Sequence, residues 1–172
     1  MASQQAPDHV GFVSRSPEQT RAFGSRLGRA ARPGDVILLQ GAFGAGKTTL
    51  VQGIASALGI HDHVTSPSFT LINEYHGRIH LFHVDLFRLK ELDVEMEQAI
   101  EHCEQSDGLT VVEWPDLLPQ DLREGALRID MEILDDDERS LVMHTEGTRW
   151  RAESLVAMMQ AALRAKASWA TG

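Results

Sequence analysis

The spacing of apolar positions changes several times along the chain, and each change marks an element. The opening to about Ser14 reads as frayed, or as ending in a short strand at Val10 to Val13. Ser16-Pro17-Glu18-Gln19 predicts a helix start, with a serine cap, proline at the first helical position and glutamine three residues after the cap. Phe23, Leu27 and Ala31 follow at helical spacing as a buried stripe, and Pro33-Gly34 stops it. Val36 to Gln40 is a continuous apolar run ending at a glycine-rich loop, the pattern of a buried parallel strand. Thr48 to Leu58 then predicts a helix with Leu50, Val51, Ile54 and Leu58 on one face, ended by Gly59.

Phe69 to His76 and Ile79 to Asp85, joined by Gly77-Arg78, predict a β-hairpin. Glu91 to about Cys103 predicts an acidic helix. Leu109 to Glu113 predicts a second buried strand, closed by Trp114-Pro115. From Leu127 to Ile133 apolar residues alternate with Arg128, Asp130 and Glu132, which predicts a strand with one wet face, as at an antiparallel edge. Asp135 to Asp137 turns the chain, and Arg139 to Thr145 returns as a partner strand. Leu155, Met158, Met159, Ala162 and Leu163 define a packing helix over about 150–168. Alternating strands and helices predict an α/β fold, and 172 residues without a repeat or low-complexity linker fit one domain over 1–172.

Charge and cysteine content narrow the function. Twenty-five acidic residues outnumber 16 Lys and Arg for a net charge of -9, which argues against a stand-alone DNA or RNA binder and favours a basic partner surface. Cys103 is the sole cysteine, so neither an intrachain disulfide nor a multi-cysteine zinc site can form. No apolar run reaches the roughly 20 residues a membrane span needs, and Met1 to Asp8 holds no signal core; a cytoplasmic protein is expected.

The chemistry concentrates at Gly41-Ala42-Phe43-Gly44-Ala45-Gly46-Lys47-Thr48, which matches the P-loop pattern in full and lies between a strand and a helix. Glycines let successive backbone N–H groups turn inward as an anion nest, and the helix start adds the positive end of its dipole. Lys47 would reach the β- and γ-phosphates of a nucleoside triphosphate, Thr48 would ligate Mg²⁺, and Thr49 would add an α-phosphate contact. ATP or ADP with magnesium is the expected cofactor set. Magnesium calls for a strand-end carboxylate, and two present themselves: Asp85 after Ile79 to Val84, and Glu113 after Leu109 to Val112. Thr65-Ser66-Pro67-Ser68 holds the place of a γ-phosphate-sensing switch loop, or is a plain proline turn.

Other features weigh less. His80 and His83, three apart on a strand, point to opposite faces and chelate poorly, and His61 and His63 add little to a metal reading. The run from Glu91 to Glu104 is a solvated helix face or a docking surface for a basic partner. The chain has no Asn-Lys-x-Asp for guanine, and its sole Asp-x-x-Gly lies at Asp8 to Gly11, upstream of the P-loop. A small-molecule kinase would need an arginine-bearing lid, whereas Arg123, Arg128 and Arg139 are scattered. No base-reading motif stands out; Glu18 to Thr20 and Arg139 are the residues offered for adenine.

Four blocks occur in order: Gly-Ala-Gly-Lys-Thr-Thr at 44–49, Thr-Ser-Pro-Ser-Phe-Thr-Leu at 65–71, His-Val-Asp-Leu-Phe-Arg-Leu at 83–89 and Val-Glu-Trp-Pro at 112–115. Together they resemble the TsaE (YjeE) family of bacterial ATPases, over about residues 16–145. The resemblance implies a three-layer P-loop nucleoside triphosphate hydrolase fold with a mixed central sheet, and weak, magnesium-dependent ATPase activity. It implies that Lys47, Asp85 and Glu113 serve the nucleotide and magnesium centre, with Trp114 beside it. It also implies two partners, TsaB and TsaD, whose complex threonylcarbamoylates the adenosine next to the tRNA anticodon. The ATPase would reset or gate that complex and meet tRNA only through it. Ser68 stands where the family usually has threonine, a change that keeps the hydroxyl. The tail after about Glu146 offers no feature that the resemblance extends to.

Overall fold

A computed structural model describes residues 8–164. Its elements, in chain order, are β1 (His9–Ser14), α1 (Pro17–Ala30), β2 (Val36–Gly41), α2 (Lys47–Ala57), β3 (Ile72–Tyr75), β4 (His80–Asp85), α3 (Val94–Gln105), β5 (Gly108–Glu113), β6 (Leu127–Ile133), β7 (Arg139–His144) and α4 (Ala152–Leu163). Two short 3-10 turns, Pro115–Leu117 and Asp121–Arg123, link β5 to β6.

The strands form a seven-stranded sheet in the order β1-β7-β6-β2-β5-β4-β3. The run β6-β2-β5-β4 is parallel, while β3, β7 and β1 join by antiparallel pairing, so the sheet is mixed. α1, α2 and α4 pack against one face with Leu39, Leu81, Val111 and Ile129. α3 and the 3-10 turns cover the other face with Leu38, Val84 and Val112. Side chains of β2, β4 and β5 alternate between these two cores, as a doubly covered sheet requires.

α1 and α2 approach so closely that small residues are obligatory between them. A Cβ on Gly53 would stand 2.2 Å from the Arg21 carbonyl oxygen, and one on Gly24 would stand 2.3 Å from that of Leu50. This packing fixes the axis of α2, and with it the direction in which the P-loop opens.

Several expectations change in detail. The opening strand is regular and pairs with β7 along its whole length, so residues 9–14 are not frayed. The hairpin's first strand begins at Ile72, because Phe69 to Leu71 form a turn in which Leu71 N–H donates to the Pro67 carbonyl at 2.7 Å and Leu71 takes φ 66°. β6 does have a wet face, but it lies inside the sheet, between β2 and β7. Its polar alternation reflects a stretch of sheet left uncovered by helix on one side, which period-2 patterning cannot distinguish from an edge. The acidic helix begins at Val94, capped by the Asp93 carboxylate on Met96 N–H at 2.8 Å. The last helix is described to Leu163, and 165–168 lie outside the described residues.

Candidate functional site

The carboxyl ends of β2, β4 and β5 meet at one rim of the sheet. β5 lies between the other two, which sets Asp85 and Glu113 directly side by side in register and Glu113 beside Leu39 on the P-loop strand. Ligands of open α/β sheets gather at such a rim. A cavity of about 470 Å³ opens there, lined by Phe43, Gly44 and Gly46 to Thr49 of the P-loop region, with Ser66, Ser68, Asp85 and Glu113 among others.

The P-loop carries the features an anion nest needs. Gly46 takes φ 95°, a conformation that L side chains rarely adopt, and occupies the cap position of α2. It has no side chain to fold back, so the helix starts without a side-chain cap, unlike α1 under Ser16 and α3 under Asp93. The helix is first tied to its cap by Leu50 N–H, which donates to the Gly46 carbonyl at 3.0 Å. The N–H groups of Lys47, Thr48 and Thr49 therefore face the cavity as open donors at the positive end of the helix. Arg139 braces the loop from β7, its guanidinium reaching the Gly44 carbonyl at 3.2 and 3.3 Å.

Lys47 lies back across the loop. Its Nζ donates to the Gly41 and Ala42 carbonyls at 2.7 and 3.0 Å and sits 4.2 Å from the Trp114 ring centroid. Burial pulls its ammonium below the usual lysine value, opposed by the Glu113 and Asp85 carboxylates. Trp114 holds φ 59° and ψ 57°, and its ring packs on Phe87 at 4.8 Å between centroids. A non-glycine residue in this region marks a local constraint, and here it turns the indole onto the site lysine.

Both acids are nearly fully buried, at 3% exposure each, so each needs donors. Asp85 Oδ1 accepts from Phe87 N–H at 2.9 Å. Its Oδ2 accepts from Ser66 Oγ, with Ser68 Oγ at 3.1 Å. Glu113 Oε1 accepts from Thr48 Oγ1 at 3.1 Å and lies 2.8 Å from His83 Nε2. The structure thus brings together Lys47, Thr48, Thr49, Ser66, Ser68, Asp85, Glu113 and Trp114. Thr65 also lines the cavity. Thr48, Asp85 and Glu113 offer hydroxyl and carboxylate oxygens at one place, the hard donor set that suits magnesium.

Comparison with known proteins now decides the lineage. The family model described as threonylcarbamoyl adenosine biosynthesis protein TsaE matches residues 14–141. The chain belongs to the TsaE family. The tRNA threonylcarbamoyladenosine biosynthesis protein TsaE of Treponema pallidum is 39% identical over 76% of this chain and 97% of that protein. Its Bacillus subtilis counterpart is 37% identical over 78% of this chain and 85% of its own length. The crystal structure of YdiB from Bacillus subtilis superposes with a TM-score of 0.73 at 31% identity, covering 92% of this chain and 97% of that one. The expected P-loop α/β fold with a mixed sheet is therefore borne out.

Several features of the site escaped sequence reasoning. Strand spacing offers His83 only as a metal ligand paired with His80; in the fold it is fully buried against Glu113, while His80 is exposed. Its position two residues before Asp85, on the same face of β4, was the available signal. The brace from Arg139 had no signal, because it depends on β6 pairing with β2 and β7 with β6. Thr20, offered for adenine, is buried with its hydroxyl 2.8 Å from Ser14 Oγ. Among the described residues, one set of three His, Cys, Asp or Glu side chains brings its ligand atoms within 4.8 Å of one another: Glu74, His76 and His80, all exposed and at the opposite end of β4 from Asp85. No helix among them is long and apolar enough to cross a membrane.

Proposed function

We propose that this protein is a magnesium-dependent ATPase acting in the threonylcarbamoylation of the adenosine next to the tRNA anticodon, as a nucleotide-controlled switch on a TsaB–TsaD complex. The observation that carries the reading is the uncapped start of α2 facing two carboxylates across one cavity, in a chain of the TsaE family. ATP and water would give ADP and phosphate. The open N–H groups of residues 47–49 hold the phosphates, and Lys47 leaves the Gly41 and Ala42 carbonyls for the terminal ones. Thr48, Asp85 and Glu113 would hold magnesium, which supplies charge neutralisation on the transferred phosphoryl group. Glu113, with one oxygen already anchored, orients the attacking water or the metal shell. The loop at Thr65 to Ser68 reads the nucleotide state through the Asp85 carboxylate that both serines touch. The acidic net charge of -9 fits indirect contact with tRNA, through the partners and in the cytoplasm, within one folded unit.

Phosphate release measured with and without TsaB, TsaD and tRNA tests this reading. Turnover should rise with the partners and vanish in Lys47→Ala, which should also fail to support tRNA modification. Normal modification by Lys47→Ala would overturn the switch, and phosphate appearing on a small molecule would make the chain a kinase instead.

A further inference from the structure

His83 is the least exposed polar group near the site, and nothing proposed so far gives it work. Its ring is fully buried on β4, two residues from Asp85, and it does not line the cavity. Nε2 lies 2.8 Å from Glu113 Oε1, and Nδ1 is buried with no hydrogen-bond partner. These facts fix the tautomer. A carboxylate oxygen can only accept from this ring, so Nε2 carries the proton; a proton on Nδ1 would leave a buried donor unpaired, the costlier arrangement.

Glu113 therefore has one oxygen held twice and one left over. Oε1 takes both the His83 and the Thr48 bonds, whereas Oε2 accepts nothing from the described residues. Thr48 rides at the start of α2 and has the nucleotide to serve. His83 has no second task, since its other nitrogen meets no partner and its ring reaches no solvent.

We propose that His83 is a positioning residue for Glu113: its Nε2–H pins Oε1 to the sheet so that Oε2 is presented to the cavity at a fixed angle. The inference rests on the hydrolytic reading of Glu113. Removing such an outer partner typically costs about 10- to 100-fold in activity without removing the group it orients.

His83→Gln, whose side-chain amide N–H can reach toward the same oxygen, should be compared with His83→Leu, which has no donor. Partner-stimulated kcat should fall about 10- to 100-fold in His83→Leu and recover most of the way in His83→Gln. Affinity for a fluorescent ATP analogue should stay within about threefold of wild type in both, since neither touches the phosphate nest. Nitrogen-15 NMR of the nucleotide-free wild-type chain should show His83 protonated at Nε2 and bare at Nδ1, a readout that needs no turnover and survives misfolding of either variant. An Nδ1–H tautomer, wild-type kcat in His83→Leu, or equal loss in His83→Gln and His83→Leu would each overturn the inference. A wild-type chain that releases no phosphate would overturn the hydrolytic reading of Glu113 itself. Normal wild-type turnover alongside an unimpaired His83→Leu would remove His83 alone.

Discussion

Asp85 and Glu113 are neighbours in register, on adjacent parallel strands and equally buried, yet they are tied to different parts of the molecule. Asp85 holds the loop of Ser66 and Ser68 and the chain just beyond β4 at Phe87. Glu113 holds the first turn of α2 through Thr48, and the sheet interior through His83. One carboxylate thus couples the cavity to a segment outside helix and strand. The other couples it to α2 and to a strand inside the sheet. A switch needs both arrangements: an acid whose surroundings yield when the ligand changes, and one whose surroundings do not.

The comparison can be broken at its shared anchor first. Lys47→Ala should remove at least about 100-fold of turnover, measured as phosphate release, while circular dichroism stays native, because it strips the charge both acids face. Next come the acids themselves. Asp85→Ala and Glu113→Ala should each depress hydrolysis by about 10- to 1,000-fold, but hydrogen exchange should part them. Amides of residues 66–71 should lose protection in Asp85→Ala and keep it in Glu113→Ala. Equal protection in the two variants would erase the distinction drawn above.

A milder change sharpens the Asp85 side alone. The double variant Ser66→Ala, Ser68→Ala removes two hydroxyls from one carboxylate oxygen, at roughly 1 kcal/mol each. Partner-stimulated turnover should drop about tenfold while calorimetric ADP affinity barely moves.

The smallest effect concerns an acid without donors. Glu104 on α3 has a buried oxygen with no partner, and burial, with help from Glu101 and Asp121, raises its carboxyl to about 7. Because the folded value lies above the ordinary 4.5 of a glutamate, the folded state holds its proton longer, so stability falls as pH rises from about 4.5 to 7. Glu104→Gln should therefore raise urea stability at pH 8 by about 1 kcal/mol, allowing for screening of a half-exposed group, and change nothing near pH 4. A gain at pH 4 equal to that at pH 8 would contradict it.

Much of this was legible in the chain. The P-loop announces itself because its glycines are demanded by backbone geometry, and geometry of that kind leaves a local record. The strand-end acids were readable for a similar reason, since an apolar run that ends in a carboxylate places that carboxylate at a rim. What stayed hidden depends on sheet order. The His83–Glu113 contact joins residues 30 apart in the chain, and it exists because β4 and β5 are neighbours in the sheet. The role of Arg139 depends on β6 lying against β2, and β6, whose alternation suggests an edge, lies inside the sheet. Patterning fixes which face of a strand is buried; it is silent on which strand lies alongside.

The central claim is that open amides at the start of α2, backed by Lys47, grip a polyphosphate. Calorimetric titration of the purified chain with ATP or ADP in the presence of magnesium tests it most directly. A saturable, exothermic 1:1 isotherm that disappears in Lys47→Ala is the predicted result. No heat beyond dilution with either nucleotide, or an isotherm unchanged in Lys47→Ala, would contradict the account.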